Sequence, residues 1–173
     1  MIEAGEEVRR FVERTAGEYA VSTALSDAEY GGGREVRLLA PGTGDGDLPE
    51  ADLVVSFDAP SRAPAWGKHL LRLGKMARKA LVVFVQNPEC VWPLRYGRAA
   101  SMIEVAGILW QVGRVREHAY LDVPRLVAGV CGGEPSFVPV GLLARRTARL
   151  QAFAVDTRPR TPQARRRASA PRS

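Results

Sequence analysis

Two uninterrupted apolar runs, close together in the chain, constrain the fold more than any other feature of this sequence. The first is "ADLVVSF", residues 51–57, and the second is "ALVVFVQNP", residues 80–88. Continuous apolar runs of this length are typical of strands buried on both faces of a parallel sheet. The stretch between them, "GKHLLRLGKMARK" at 67–79, has an apolar and a basic helical stripe. Because consecutive parallel strands joined by a helix are usually neighbours, this unit predicts an α/β fold.

The remaining segments predict further helices and strands around that unit. Helical spacing and strand composition indicate a helix at 5–16, strands at 18–27 and 36–40, a helix at 98–113, a strand at 114–124, a short helix at 125–130, and a helix from 141 leading into a strand at 151–156. We therefore expect one domain over residues 1–156, with a mostly parallel, Rossmann-like sheet flanked by helices.

The positive charge of the chain is concentrated at its C-terminal end. The formal net charge is +6, and residues 157–173, "TRPRTPQARRRASAPRS", contain six arginines and no acidic residue. The preceding residues carry no net charge. A segment rich in Pro, Ser and Ala cannot bury a core, so we expect a disordered tail. Contact with nucleic acid is expected only through this tail.

Several classes of protein are excluded by composition and motif. No run of about 18 apolar residues predicts a transmembrane helix, and the acidic start "MIEAGEEVRR" is unlike a signal peptide. The two cysteines and two histidines lack the spacing of a zinc site, so no metal is expected. These features favour a cytoplasmic protein of unassigned oligomeric state.

A glycine-rich stretch, "APGTGDG" at 40–46, follows a predicted strand and imitates a cofactor-binding loop. Such a loop must feed a helix, whose N-terminus faces the cofactor. Here Asp47, Leu48 and Pro49 leave no room for two helical turns before the next strand. An acidic surface turn is the favoured interpretation.

Polar residues that follow the predicted strands are the candidate binding residues, because ligands of open α/β sheets lie at the carboxyl ends of strands. Asp27 ends one strand and is suited either to bind a ribose or to terminate a turn. Ser56, Phe57 and Asp58 lie at the exit of the next strand, although Asp58 alone could cap the following segment.

The two histidines and the tryptophans have plain structural interpretations. His69 lies beside Lys68 and Arg72, and we assign it to a solvated helix face. His118 is a weak candidate for a general base, but a structural histidine is favoured because no partner can be placed by sequence. The tryptophans are expected in the core or in a pocket wall: Trp66, Trp92 and Trp110.

From residue 48 onward the sequence resembles the class I S-adenosylmethionine-dependent methyltransferases. "LPEADLVVSFDA" looks like their fourth strand, in which an acid opens the strand, and "HLLRLGKMARKALVVFVQNPE" looks like the next helix and fifth strand. "LQAFAVDTRPR" resembles the antiparallel last strand of many members. The resemblance covers Leu48 to Arg160 and implies a Rossmann-like fold with an antiparallel C-terminal strand.

In the part before residue 48, the resemblance permits two alignments. If residues 19–27 match the family's second strand, the first strand and its glycine loop would lie before Met1, and the N-terminal part of the fold is truncated. Alternatively the sheet has closed up without that strand. In the other alignment, residues 36–46 are the first strand and loop, and a helix and two strands are deleted.

The resemblance implies S-adenosyl-L-methionine as cofactor and methyl transfer to an unidentified small-molecule acceptor. Asp27 would hold the ribose, and Ser56, Phe57 and Asp58 would line the methionine part of the cofactor. Asn87 and His118 would face the acceptor. The alternative hypothesis is a non-catalytic, methyltransferase-like partner subunit or a truncated gene product, so enzymatic activity is an open question at this stage.

Overall fold

Six strands and five helices make up the described part of the chain, which a computed structural model defines for residues 5–28, 37–38, 49–91, 99–122 and 142–158. Residues 37–38 and 142–144 are described by their backbone alone. In chain order the elements are α1 (Glu6–Glu18), β1 (Ala24–Ser26), β2 (Arg37–Leu38), β3 (Ala51–Phe57), α2 (Ala59–Arg62), α3 (Trp66–Met76), β4 (Ala77–Gln86), α4 (Met102–Val112), β5 (Arg114–Leu121), α5 (Leu142–Thr147) and β6 (Leu150–Asp156).

The strands form one sheet in the order β2-β1-β3-β4-β6-β5. β2, β1, β3 and β4 are parallel, and β6 runs antiparallel to both of its neighbours, β4 and β5. The prediction of adjacent, parallel strands from the two apolar runs is confirmed, because Val54 pairs with Leu81 and Phe57 with Phe84. The predicted antiparallel terminal strand is confirmed as well.

Helices cover both faces of this sheet, which is why the central residues of β3 and β4 are apolar. On one face α1 buries Val8, Phe11 and Val12 against alternate strand residues such as Val55 and Phe84. On the other face α3 and α4 cover the intervening strand residues, with these core side chains: Val54, Leu70, Leu73, Leu81, Val83, Val105 and Leu109. Alternation of side chains across a strand assigns each β3 residue to one of the two layers.

Several predicted features differ from the structure in extent or burial. α3 ends at Met76 and β4 begins at Ala77, so residues 77–79 are strand, since their backbone pairs with the sheet. Only Ala24–Ser26 of the strand predicted at 18–27 is paired. Trp110, expected in the core or in a pocket wall, is 74% exposed and is not a core residue, whereas Trp66 is buried as expected. Trp92, the glycine-rich stretch 40–46 and the short helix predicted at 125–130 lie outside the described residues.

β1 and β3 are direct hydrogen-bonded neighbours, with Ala24 opposite Leu53 and Ser26 opposite Val55. In the family resemblance, another strand separates the corresponding two. Among the residues that the structure describes, no strand lies between β1 and β3. Among the described helices, none combines the length and apolar character needed to cross a lipid bilayer.

Candidate functional site

The carboxyl ends of β1, β3 and β4 meet at one edge of the sheet, because the three strands are parallel neighbours. This carboxyl edge holds Asp27 after β1, Asp58 after β3, and Asn87 after β4. Three of the segments predicted to line a site are therefore brought together. His118 is on β5, which β6 separates from β4.

The carboxylate of Asp27 has partners within the protein on both of its oxygens. Its Oδ1 accepts a hydrogen bond from the backbone N–H of Phe57 at 2.9 Å, and its Oδ2 accepts one from the Ser56 hydroxyl at 2.6 Å. Oδ2 also lies 3.0 Å from His69 Nε2 and 2.9 Å from Arg62 Nη2. The side chain is only 2% exposed.

The pKa of Asp27 reflects these contacts. Burial by itself would raise the pKa of the carboxyl, but His69, Arg62, the Ser56 hydroxyl and the Phe57 N–H all favour the charged form. Together they hold the pKa of Asp27 below its usual value. Asp27 is therefore an ionised, buried carboxylate at neutral pH, with its oxygens already paired.

Ser56 and Phe57 take part in the site through this same carboxylate. Ser56 is fully buried, and its hydroxyl donates a hydrogen bond to Asp27 Oδ2. The Phe57 ring turns into the core on the α1 face, where it stacks on Phe84 with ring centroids 4.7 Å apart. Only the backbone of Phe57 faces the edge, where its carbonyl accepts a hydrogen bond from Arg62 Nε at 2.6 Å.

Asp58 differs from Asp27, because one of its oxygens has no partner. Its Oδ2 accepts a hydrogen bond from the Gln86 amide at 2.7 Å. Its Oδ1 is buried and has no hydrogen-bond partner among the described residues. The backbone of Asp58 is left-handed, with φ 48°, and the residue is 4% exposed. A strained backbone conformation and an unsatisfied buried acceptor each cost free energy, and such features concentrate at functional sites.

Asn87 is buried and all of its polar atoms have partners. Its amide donates to the carbonyls of Arg145 and Ala148 at 2.7 and 2.8 Å. Its Oδ1 accepts from the Gln151 amide at 2.8 Å and from the Glu89 N–H at 3.2 Å. Asn87 therefore ties the end of β4 to α5 and β6 through its side chain.

His118 stacks on the Phe153 ring, with centroids 4.5 Å apart and an angle of 5°. Burial lowers the pKa of His118, and the nearby Gln151 amide only partly opposes this shift. Yet neither His118 Nε2 nor Gln151 Oε1 meets hydrogen-bond geometry with any described partner. The ring is therefore neutral at pH 7, and it lies apart from the Asp27 and Asp58 carboxylates.

Sequence reasoning missed three residues of the carboxyl edge. His69 was assigned to a solvated face, but it contacts Asp27, which is 42 positions away in the chain. Arg62 was not singled out, because nothing in its local sequence places it near β1. Gln86 could have been found, since it is the first polar residue at the end of an apolar strand, the same signal that identified Asp58.

Comparison with known proteins agrees with this architecture. No protein-family model matches the chain, and no curated protein matches it. A solved structure of magnesium protoporphyrin IX methyltransferase (ChlM) from Synechocystis PCC 6803 with bound SAH is 8% identical, has a TM-score of 0.51, and the match covers 88% of this chain and 84% of that one. A structure of ChlM with bound SAM is 12% identical, with a TM-score of 0.43, over 89% of this chain and 56% of that one.

This chain thus spans little more than half of one of the two solved chains. Identities of 8% and 12% are too low to transfer a substrate or a binding residue. The match at TM-score 0.51 does carry the architecture. The chain therefore has the α/β fold of S-adenosylmethionine-dependent methyltransferases.

Proposed function

We propose that this chain is a cytoplasmic S-adenosylmethionine-dependent methyltransferase, or a protein derived from one, that binds its cofactor at the carboxyl edge and acts on a small-molecule acceptor. One observation carries this proposal above the others. The Asp58 Oδ1 atom is buried without a partner at the end of a central parallel strand, while Gln86 holds Oδ2. A buried carboxylate oxygen is best paired with a positively charged donor, and the ammonium of the methionine part of the cofactor is such a donor.

The residues of the carboxyl edge would contribute mainly by binding and orienting. When bound, the cofactor supplies an electrophilic methyl group on a sulfonium. Asp58 would accept the ammonium, and Gln86 would keep the carboxylate in place. Holding two reactants in line supplies a large part of the rate of such a transfer. Asn87 would help indirectly, by fixing the backbone that leaves β4, and the neutral His118 ring is proposed for the acceptor side.

A binding titration with S-adenosylhomocysteine tests the proposal. We expect Asp58→Asn to weaken binding about 10–100-fold, because a hydrogen bond to a charged group contributes about 1.5–3 kcal/mol. Asp122→Asn is the matched control, since Asp122 also has a left-handed backbone but is exposed. The proposal fails if the wild-type protein shows no heat of binding and no melting shift at millimolar ligand, or if both variants bind equally well.

A second candidate is a non-catalytic, methyltransferase-like partner subunit. The observation that favours it is the engagement of Asp27, whose carboxylate is bonded to Ser56, Phe57, His69 and Arg62. An acid in that state offers no free oxygen to a ribose. Absence of binding in the titration above, together with absence of methyl transfer, would support this second candidate.

A further inference from the structure

The direct pairing of β1 with β3 has brought two predicted halves of one ligand site into contact. Asp27 was expected at the ribose and Ser56 at the methionine part of the cofactor. In the structure their side chains are hydrogen-bonded to each other at 2.6 Å, and the Asp27 N–H donates to the carbonyl of Val55 at 3.1 Å. Asp27, the residue expected at the ribose, is therefore adjacent to the carboxyl end of β3.

Two side chains from the segment after β3 close over this pair, and we refer to Arg62 and His69 as the Asp27 clamp. Arg62 contacts three acceptors: the Phe57 carbonyl at 2.6 Å, the Asp27 carbonyl at 3.2 Å and Asp27 Oδ2 at 2.9 Å. His69 adds its contact from the first turn of α3, 3.0 Å from Oδ2. Both clamp residues contact Oδ2, which Ser56 also contacts, so three donors surround this oxygen, whereas Oδ1 accepts from the Phe57 N–H.

Asp58 is in the opposite state at the same edge. No described residue donates a hydrogen bond to its Oδ1, whereas both clamp residues contact the carboxylate of Asp27. The edge thus presents one free buried acceptor and one that is occupied. A ligand with a primary ammonium can bind Asp58 without displacing any hydrogen bond, but a ribose hydroxyl must displace Arg62 or His69 to reach Asp27 Oδ2.

We infer that Arg62 and His69 determine ligand specificity. They occupy Oδ2 of Asp27, the residue expected to bind a ribose, so that the site accepts the α-amino-acid end of a ligand and discriminates against its nucleoside end. This inference rests on the proposed function, because it concerns the same edge of the sheet. If the clamp is removed, Ser56 and Phe57 still hold Asp27 in place. Each oxygen of the carboxylate then has one partner, Ser56 on Oδ2 and the Phe57 N–H on Oδ1, and each can accept one hydroxyl of a ribose.

Titrations with L-methionine, adenosine and S-adenosylhomocysteine test the inference on the full chain. We expect the double variant Arg62→Ala/His69→Ala to bind adenosine at least about tenfold more tightly than the wild-type protein, as two new hydrogen bonds to a charged group allow. L-Methionine should bind both proteins within twofold of each other. Adding Asp27→Asn to the double variant should abolish the gain for adenosine.

Arg78→Gln is the matched control, because it removes an arginine whose ion pair with Glu50 is exposed. If the double variant unfolds, the single variant His69→Ala replaces it, because alanine is a good helix former at this half-buried position of α3. The expected increase in adenosine affinity is then smaller. Adenosine affinity that stays unchanged in a folded clamp variant overturns the inference, whatever S-adenosylhomocysteine does. Failure of the proposed function shows instead in the wild-type titration and in Asp58→Asn.

Discussion

The buried aspartates of the sheet differ in how completely their oxygens are paired. At the amino edge, Asp52 accepts hydrogen bonds from the Ser22 hydroxyl and N–H at 2.7 and 2.9 Å and is paired with Lys79 at 3.2 Å. These contacts hold the pKa of Asp52 far below its usual range. Asp156 is similarly held by Arg158 and Arg116. Such pairs stabilise the fold, whereas one oxygen of Asp58 has no hydrogen-bond partner among the described residues.

Asp156→Asn provides a residue-scale prediction with a definite pH dependence. Hydrogen bonds from Arg158 outweigh burial and lower the pKa of Asp156 from 3.8 to about 2. A depressed pKa means that the stabilisation is present above about pH 4 and is lost as the pH falls towards 2. Since both arginines are half-exposed and screened, we expect the variant to lose about 1 kcal/mol at pH 7.

Urea denaturation of both proteins at pH 7, 4 and 3 measures this difference. It should shrink steadily as the pH is lowered. If the free energies of unfolding of wild type and variant differ as much at pH 3 as at pH 7, the ion pairs of Asp156 with the arginines are not the source of the difference.

At the scale of elements, the packing of α3 on α4 explains a glycine that the sequence alone makes look unfavourable. Gly74 lies within α3, where glycine costs about 1 kcal/mol relative to alanine. A Cβ at this position would lie only 2.4 Å from Cγ1 of Val112 on α4. Gly67 lies two turns earlier on the same face of α3, and a Cβ there would lie 3.0 Å from Cδ1 of Ile108. The two glycines let the helices approach closely over the sheet.

Gly74→Ala should therefore destabilise the protein despite its gain in helix propensity. We expect a loss of about 1–3 kcal/mol, because overpacking displaces either Val112 or the whole helix. In a Val112→Ala background the same substitution should be neutral or stabilising, since the overlapping methyl groups are gone. A double-mutant cycle by urea denaturation measures the coupling. Additive effects would mean that the two positions do not compete for space.

On the scale of the whole molecule, the sheet is completed by its last strand. β6 is inserted between β4 and β5 and pairs along its full length with both. The chain beyond β6 is then secured by Thr157, whose N–H and hydroxyl donate to the carbonyls of Lys79 and Ala77 at 3.1 and 2.7 Å. Arg158 follows with its ion pair to Asp156 and a contact over the Tyr19 ring at 4.9 Å. The folded body thus extends at least to Arg158.

Two truncated chains, ending at Asp156 and at Arg158, should differ in stability. The longer one retains the hydrogen bonds of Thr157 and the ion pair of Arg158 with Asp156. Because several modest contacts add up, we expect it to be about 1–3 kcal/mol more stable. Thermal melting at low and high salt measures the difference, which should decrease with salt. Equal melting temperatures would show that the pairing of β6 with β4 and β5, rather than these contacts, holds the strand in place.

Local sequence patterns were sufficient for the central part of the fold. Continuous apolar runs predicted β3 and β4 as buried parallel neighbours, since only a strand covered on both faces can afford such composition. The same patterns placed Asp27, Asp58 and Asn87 at strand exits, and the structure brings these three to one edge. Whether they bind a cofactor stays a prediction.

By itself, then, the amino-acid sequence determined which segments are strands, which faces are buried and which polar residues follow them, because these properties depend on residues close together in the chain. Only the tertiary structure decided that β1 pairs with β3 and that Arg62 and His69, 35 and 42 positions from Asp27, occupy its carboxylate. The physical reason is competition: a buried donor or acceptor takes whichever partner the packed chain brings within reach, and spacing along the sequence does not identify that partner.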